Sequence, residues 1–355
     1  MSTEPPIQDT RSFLQVDARG GRVADIVFPL HPNADHASVP PVCTLADIVW
    51  DQDTATAFYT MASLYQRCLP MLLMAPTGFA KTTLVVALAT LVQSPIITLT
   101  CGDQTQADDL VGRYAPKKDG FSFVRGPLLA MMERGGIFHL DEGMTAPPQA
   151  LERLNSVLDY PNPSIVVHEH ESERIEPARG FLAVVSGNPP GAAYPGRKLL
   201  GWALRDRLHP VWLVAPSESA ILAMQRGLLF GESPSVVVAG RRWAATSAPV
   251  HPMYAWVEEV SGDVSQVLPM LARLHVVVAG MTMTEPTAVT RRRVRSLWMT
   301  LAHAAPRTAP EFRRCLFQAV HEEYVALFSH PSDRAASSKL IESVGLNGAW
   351  LKGKS

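Results

Sequence analysis

Residues 72–83 read LLMAPTGFAKTT, an apolar strand followed by a tight turn and the start of a helix. The turn is similar to the pattern G-x-x-x-x-G-K-[ST], in which backbone N–H groups and a helix N-terminus hold phosphate. Ala75 and Ala80 stand at the two glycine positions of that pattern, and only the middle glycine, Gly78, is present. The stretch therefore predicts a phosphate-binding loop of altered sequence between a strand and a helix.

Two side chains at the start of the helix would carry the chemistry of such a loop. Lys81 would pair with the β- and γ-phosphates of a nucleotide, and Thr82 would offer its hydroxyl to magnesium. The expected nucleotide-binding residues of the loop are Ala75, Pro76, Thr77, Gly78, Phe79, Ala80, Lys81, Thr82 and Thr83. The simpler alternative is a strand–turn–helix unit with an incidental lysine, because loops of this loose pattern are common.

The composition is that of a globular chain with two or three domains. Its 355 residues are 47% apolar and 18% charged, and its net charge is −1, which gives no support for a general nucleic-acid or membrane binder. Four widely spaced cysteines fit neither a zinc site nor a disulfide scaffold. The N-terminus does not resemble a signal peptide, and the apolar runs are too short to span a membrane. These features predict a cytoplasmic protein.

The pattern along the chain predicts an α/β fold followed by helices. Apolar runs predict buried strands at 71–74, 95–100, 136–140, 181–185 and 210–214, with helices capped by 53–54 and at 128–133 and 148–158. Such alternation predicts a parallel sheet with helices on both faces. Residues 22–30 predict a strand, 32–41 a linker and 165–177 a hairpin. Later helices are expected at 217–226, 253–260, 263–278, 287–304 and 310–329.

These elements suggest four parts of the chain. We expect an N-terminal extension and linker over 1–44, a nucleotide-binding core over 45–215, a helical domain over 216–330 and a loosely held tail over 331–355.

Acidic and amide side chains follow two of the predicted strands. Asp141 and Glu142 follow the run at 136–140. One predicted strand separates this run from the phosphate loop in the sequence, a spacing that suits neighbouring strands in the sheet of a nucleotide hydrolase. Asp141 would hold magnesium through water, and Glu142 would act as general base on an attacking water. Asn188 follows the strand at 181–185 and would orient that water or contact the γ-phosphate. Taken singly, two solvated acids at a strand end are a common arrangement, and Asn188 is more often a turn residue than a sensor.

Two arginine-rich segments are candidates for contacts with phosphate. Arg205 or Arg207, just before the last predicted strand, could reach the nucleotide of a neighbouring subunit as an arginine finger. Residues 291–295 read RRRVR, and one of these arginines could reach the γ-phosphate from the helical domain. The alternatives are a salt-bridged helix end and a basic surface, since four arginines on one helix cannot face a single phosphate.

The ordered series of these segments resembles the AAA+ ATPases, in particular the MoxR and dynein-related, midasin-type branch. The resemblance extends from about 45 to 305 and includes 103–113 (DQTQADDLVGR), 124–128 (VRGPL) and 141–154 (DEGMTAPPQALERL). It implies a P-loop AAA+ parallel sheet flanked by helices and followed by a smaller all-helical lid domain. It also implies that residues 165–180 form the hairpin insert that this branch carries in its second helix.

The resemblance further implies a function and a set of roles. ATP and Mg²⁺ would be the cofactors, with nucleotide sites between the subunits of a homo-oligomeric, hexameric ring. Asn188 matches the first sensor, Arg205 or Arg207 the finger, and Arg292 the second sensor. Relatives remodel or activate partner enzymes, often with a von Willebrand A-domain protein, so a protein client is expected and nucleic acid or membrane is not.

The altered loop motivates two alternatives to an active or slow ATP hydrolase. If the backbone at Ala80 has positive φ, its Cβ costs about 1 kcal/mol. Such a cost would loosen ATP binding by about fivefold to tenfold. Together with Phe79, this substitution suggests a nucleotide-gated scaffold with negligible hydrolysis. A nucleic-acid-associated motor subunit is suggested by 241–243 (RRW) and the arginines at 291–295.

Overall fold

The computed structural model describes residues 7–45, 48–118, 120–189, 200–232, 234–245, 264–283 and 289–352. Its first strands are β1 (Ile7–Ser12), β2 (Leu14–Asp17), β3 (Gly20–Val23) and β4 (Ile26–Pro29). The last three form an antiparallel meander. The single strand predicted over 22–30 is therefore two strands, because the chain turns at Ala24, whose φ is 50°.

The central part of the chain alternates helices and strands. Its helices are α1 (Gln52–Gln66), α2 (Lys81–Val92), α3 (Ala107–Val111), α4 (Pro127–Arg134), α5 (Pro148–Leu151) and α6 (Trp202–Arg207). Its strands are β5 (Met71–Met74), β6 (Ile96–Thr100), β7 (Gly112–Lys117), β8 (Gly120–Arg125), β9 (Ile137–Asp141), β10 (Ile165–Val167), β11 (Glu173–Ile175), β12 (Leu182–Gly187) and β13 (His209–Trp212).

Five of these strands form a parallel sheet in the order β13-β5-β12-β9-β6. This confirms the predicted α/β fold. The strand before the phosphate loop (β5) and the strand that ends in Asp141 (β9) are not neighbours, however. Strand β12 lies between them, because Val184 pairs with Met71 on one side and with His139 on the other. The residues that follow β12 are therefore placed between the loop and the acidic pair.

The central strands β5, β12 and β9 are buried on both faces, which explains why they are almost continuously apolar. Leu73 packs in one core with α1, α2 and the N-terminal meander, whereas Leu72 and Met74 pack in a second core with α3, α4 and α5. Successive side chains of a strand point to opposite faces. A run such as MLLM therefore fills both cores at once.

Two hairpins lie beside the second core, and their placement corrects one expectation. Hairpin β7–β8 interrupts a helical segment, since it joins α3 to α4 and the Gly126 N–H donates to the Val111 carbonyl at 2.8 Å. Hairpin β10–β11 lies after α5 and before β12. The insert within a helix is thus at 112–125 and not at 165–180. The hairpins meet where Phe123 stacks on His170, with ring centres 4.7 Å apart.

The C-terminal part is mainly helical, as expected. Its elements are α7 (Glu218–Phe230), β14 (Ser235–Val238), β15 (Arg241–Ala244), α8 (Val264–Ala279), α9 (Arg291–Ala304), α10 (Ala309–Tyr324), α11 (Pro331–Ser343) and α12 (Gly348–Leu351). The helix predicted over 253–260 lies outside the described residues. The segment after 331 is helical, and Ile341 and Leu346 are buried in the third core, so it is not a loose tail.

Strands β14 and β15 interrupt the predicted run of helices. They form a hairpin whose second strand pairs in parallel with β1, so the hairpin joins the N-terminal part of the chain. Trp243 is fully buried there, and its indole N–H donates to the Val238 carbonyl at 3.1 Å. An aromatic side chain used in this way cannot stack on a nucleic-acid base. The structure therefore removes part of the support for a nucleic-acid motor.

Candidate functional site

The predicted phosphate loop joins β5 to α2 with a left-handed backbone at Ala80. Its φ is 60° and its ψ is 21°, and the Leu84 N–H donates to the Ala80 carbonyl at 2.9 Å as the first helical bond. Ala80 thus occupies a conformation that favours glycine. Gly78 also has positive φ, and a Cβ there would lie 2.4 Å from the Thr290 Cβ. The remaining glycine is required because the segment before α9 packs directly on the loop.

Lys81 is the central cation of the site. It is only 6% exposed, and its ammonium donates to the Ala75 carbonyl at 2.9 Å and the Pro76 carbonyl at 3.1 Å. A third bond, 2.6 Å long, reaches the Asn188 Oδ1. The short bond to Asn188 is possible because β12 lies next to β5. The loop lysine and the predicted sensor are therefore in direct contact.

Asp141 and Thr82 meet at the same edge of the sheet. The Thr82 hydroxyl donates to the Asp141 Oδ2 at 3.1 Å, and the other carboxylate oxygen accepts from the Ser186 hydroxyl at 2.6 Å. The backbone N–H of Glu142 also donates to Oδ1, at 3.1 Å. One oxygen of the carboxylate is thus bound to the sheet, and the other faces the start of α2.

Glu142 lies on the other side of Asn188. Its backbone is left-handed, with φ of 53° and ψ of 33°, which turns the chain sharply after β9. The Asn188 amide nitrogen donates to the two carboxylate oxygens at 3.2 and 3.4 Å and to the Thr77 hydroxyl at 3.1 Å. Asn188 therefore joins the lysine, the acidic pair and the phosphate loop in one network.

The donor set suits magnesium. Among the described residues, no group of three or more His, Cys, Asp and Glu side chains could hold a metal ion. Mg²⁺ in nucleotide enzymes needs less, because it takes one or two protein oxygens and completes its shell with phosphate oxygens and water. Thr82 and Asp141 supply two such oxygens 3.1 Å apart. The residues present therefore fit this ion.

A cavity of about 200 Å³ opens beside the loop. Its walls combine the loop and α2 with the segment before α1, with α7 and with α9. The residues that line it are Ile48, Val49, Thr54, Gly78, Ala80, Thr83, Leu84, Met224, Leu228, Arg291, Arg292 and Arg295. Phe79 is partly buried and packs against the first core rather than in this cavity. The cavity is apolar on one side and basic on the other, which is the character of a site for a base with attached phosphates.

The arginines of α9 differ in their surroundings. The Arg291 guanidinium donates to the buried Asp51 carboxylate at 2.6 Å and to the Thr54 hydroxyl at 2.9 Å. Arg293 donates to Glu323 at 3.0 Å. Arg292 is exposed and lines the cavity.

The arginines of α6 also differ. The Arg207 side chain donates to the Asp159 carboxylate at 3.3 Å and to the Ala203 carbonyl at 2.8 Å. Arg205 is exposed, and its guanidinium lies 5.0 Å from the centre of the Trp202 ring, which is itself 82% exposed. Helix α6 directly precedes β13, and its first residues lie beside Met144 and Ala146, which follow β9. Arg205 and Arg207 are not among the residues that line the cavity beside the phosphate loop.

Sequence reasoning missed two buried residues behind Asp141. His139 and Ser186 are fully buried, and the His139 Nε2 lies 2.9 Å from the Ser186 hydroxyl. Burial lowers the pKa of His139 to about 4, although the nearby Asp141 acts in the opposite direction. The signal was a histidine inside the apolar run GIFHL, since a polar residue in a buried strand needs a partner.

Comparison with known proteins points to one family. Residues 70–208 match the family model described as AAA domain (dynein-related subfamily). The protein NorQ of Paracoccus denitrificans is 36% identical over 121 residues, which cover 34% of this chain and 44% of NorQ. The denitrification regulatory protein NirQ of Stutzerimonas stutzeri is 30% identical over 151 residues, which cover 42% of this chain and 54% of NirQ.

A third relative is a much longer protein. Midasin of Giardia intestinalis is 32% identical over 163 residues, which cover 45% of this chain but 3% of midasin. The chain thus spans about half the length of NorQ and NirQ and a small part of midasin. The matched region contains the loop, the acidic pair, Asn188 and α6. Over residues 70–208 the chain therefore belongs to the dynein-related subfamily of AAA domains, the branch that MoxR-type AAA+ proteins share with midasin.

Proposed function

We propose that the chain is a MoxR-like AAA+ ATPase. It would couple ATP binding and hydrolysis in a homo-oligomeric, hexameric ring to the remodelling or activation of a partner protein. The observation that carries this proposal is the single hydrogen-bond network that contains Lys81, Thr82, Asp141, Glu142 and Asn188 at the carboxyl ends of the strands. Open α/β sheets bind ligands at this edge.

We propose a role for each side chain of this network. Lys81 would bind the β- and γ-phosphates, since its ammonium already lies within the loop and can exchange carbonyl partners for phosphate oxygens. Thr82 and Asp141 would hold magnesium, which when bound neutralises charge on the phosphate oxygens. Glu142 would accept a proton from the attacking water, and Asn188, bonded to both Lys81 and Glu142, would hold that water between them.

Arg205, rather than Arg207, is the proposed finger for the neighbouring subunit. Arg207 is engaged by Asp159 and by its own helix, whereas Arg205 is exposed. Because Arg205 is not among the residues that line the cavity beside its own phosphate loop, it would act on the nucleotide of another copy. Trp202 supports this role, since a guanidinium over an indole face gains about 0.5–1 kcal/mol at an exposed site.

Arg292 is the proposed second sensor. Arg291 and Arg293 form ion pairs with Asp51 and Glu323, which makes them less suited than Arg292 to binding a phosphate. Arg292 lines the cavity beside the loop. Binding of a nucleotide there would connect α9 to the phosphate loop.

The proposed client is a protein, and the relatives include one named as a denitrification regulatory protein. A von Willebrand A-domain protein is the proposed companion. All four cysteines are free thiols, which is consistent with a reducing compartment such as the cytoplasm. None of the helices in the described ranges combines the length and apolar character that a bilayer crossing needs.

The Glu142→Gln variant tests the proposed hydrolysis. Loss of a general base lowers turnover by about 100-fold to 10,000-fold while leaving ATP binding in place. Glu152→Gln is the control, because Glu152 is an exposed carboxylate outside the network. Turnover would be measured by phosphate release, and the trapped ATP-bound variant would be used to recover its partner. Unchanged turnover in Glu142→Gln would remove Glu142 from the mechanism.

A further inference from the structure

Three polar residues on adjacent strands lead to the carboxylate that is expected to hold magnesium. We propose that Thr98, His139 and Ser186 form a hydrogen-bond relay that positions Asp141 for the metal ion. The inference rests on the proposed function, because it assigns a positioning role behind the same site. Its residues come from β6, β9 and β12, which are neighbours in the sheet.

The distances form a continuous chain. The Thr98 hydroxyl lies 3.2 Å from the His139 Nδ1, and the His139 Nε2 lies 2.9 Å from the Ser186 hydroxyl. The Ser186 hydroxyl lies 2.6 Å from the Asp141 Oδ1. His139 and Ser186 are both 0% exposed. Every link is therefore within hydrogen-bond distance, and the two middle members are shielded from bulk water.

The protons can be placed in one way along this chain. An ionised carboxylate only accepts, so the single Ser186 proton goes to Asp141. The Ser186 oxygen must then accept from His139, which requires a proton on Nε2. A neutral imidazole with Nε2–H has an acceptor at Nδ1, which takes the proton of the Thr98 hydroxyl. All donors in the relay therefore point towards Asp141.

The two carboxylate oxygens of Asp141 therefore have different partners. Oδ1 accepts from Ser186 and from the Glu142 backbone, whereas Oδ2 accepts from Thr82 on the side of the phosphate loop. A carboxylate fixed through one oxygen presents the other in a defined orientation. Partners that hold metal ligands in this way contribute about 10-fold to 100-fold to metal affinity.

A purely structural role for the relay predicts a different result from a positioning role. If the bonds only satisfy buried polar groups, their loss lowers stability without changing how ATP binding depends on magnesium. If they position Asp141, their loss removes the part of ATP affinity that magnesium adds. The affinity measured in EDTA is then unchanged, because the lysine and loop contacts do not involve Ser186.

The experiment measures binding of a fluorescent, non-hydrolysable ATP analogue to the full chain, with Mg²⁺ and with EDTA. Ser186→Ala is expected to reduce the Mg²⁺-dependent gain in affinity by about tenfold or more. Because that variant leaves the buried His139 N–H without an acceptor, a second variant, Ser186→Ala with His139→Leu, removes both polar groups. Ser94→Ala is the matched control, since Ser94 is also 0% exposed and its hydroxyl donates to the Pro95 carbonyl, outside the relay.

The Asp141→Asn variant separates failure of this inference from failure of the proposed function. If wild type shows no Mg²⁺-dependent gain, the proposed function is wrong and the relay has no role. If wild type shows the gain and Asp141→Asn loses it, the site is as proposed. An undiminished gain in both Ser186 variants would then overturn the relay, and a reduced gain with unchanged affinity in EDTA would support it.

Discussion

Replacing Ala80 with glycine tests where the altered phosphate loop carries its backbone strain. Ala80 has φ of 60° in the structure, and the first hydrogen bond of α2 is already formed on its carbonyl. The folded protein therefore holds the left-handed conformation before any ligand contact is considered. On this basis the strain lowers the stability of the fold rather than the affinity for ATP.

The magnitude follows from two opposing terms. A left-handed backbone costs a non-glycine residue about 1–2 kcal/mol, which glycine removes. Glycine also has more freedom in the unfolded chain, which lowers stability by about 0.4–1 kcal/mol. We therefore expect Ala80→Gly to raise the free energy of unfolding by about 0.5–1 kcal/mol. ATP affinity should change by less than about threefold, since the loop conformation is the same in both proteins.

The chain offers a matched control. Ala239 lies in the turn between β14 and β15, is exposed and has φ of 52°. Ala239→Gly removes the same strain in a turn that contributes no residue to the phosphate loop or to the cavity beside it. Both variants should show the same gain in urea unfolding, and calorimetric titration with ATP should give wild-type affinity for both.

A different pattern would refute this reasoning. One such pattern is that Ala80→Gly binds ATP tenfold more tightly without the gain in stability that Ala239→Gly shows. In that case the backbone strain at Ala80 would arise when ATP binds and not when the chain folds. A large increase in turnover would further favour the nucleotide-gated scaffold over an active native loop. Little change in turnover supports the active enzyme.

Three further predictions follow from the site and the lid. Arg205→Ala should lower ATP turnover by about 1,000-fold or more in the assembled protein without weakening ATP binding, whereas Arg207→Ala should retain turnover; equal losses in a phosphate-release assay would contradict the choice between them. Gly78→Ala should weaken ATP binding measured by titration, because its Cβ would lie 2.4 Å from the Thr290 Cβ and must displace the lid segment; wild-type affinity would show that the contact is dispensable. Burial lowers the pKa of His275 to about 4, so the unfolded chain takes up a proton first as pH falls below 6.5. The contribution of His275 to stability should then fall by about 1 kcal/mol between pH 7 and 5.5, and His275→Gln should reduce the pH dependence of urea unfolding by that amount.

The sequence predicted the parallel sheet well because its central strands are buried on both faces. Strands such as Met71–Met74 and Ile137–Asp141 are then nearly continuous apolar runs that stand out between helical segments. The order of the strands was less accessible. Linear distance suggested that the loop and the acidic pair sit on neighbouring strands, but β12 pairs with both.

Short hairpins were the main omission in the fold. One hairpin, at 112–125, packs against the hairpin that contains His170. The other, at 235–244, pairs with β1 from the start of the chain. Local pattern alone carries little information about such pairing. The apparent basic motif RRW at 241–243 belongs to one of these strands, which places its tryptophan in the core.

The candidate side chains of the phosphate loop and the strand ends were identifiable from the sequence, because each follows a strand end or opens a helix. The sequence did not show which of several neighbouring arginines has the functional position. Arg205 and Arg207 differ by an ion pair to Asp159, and Arg292 differs from Arg291 by the contact of the latter with Asp51. Those partners are far away in sequence, so only the folded chain distinguishes them.

The contact between Gly78 and Thr290 has a consequence for any partner that acts on the lid. Thr290 directly precedes α9, whose Arg291 is bound to Asp51 beside α1. Suppose that a partner and a nucleotide both bind with affinities that depend on the position of α9. The partner then changes the affinity for nucleotide by the same factor by which nucleotide changes the affinity for the partner. The coupling would act in both directions. A partner that displaces α9 would weaken the binding of nucleotide, and nucleotide binding would change the surface that the partner recognises.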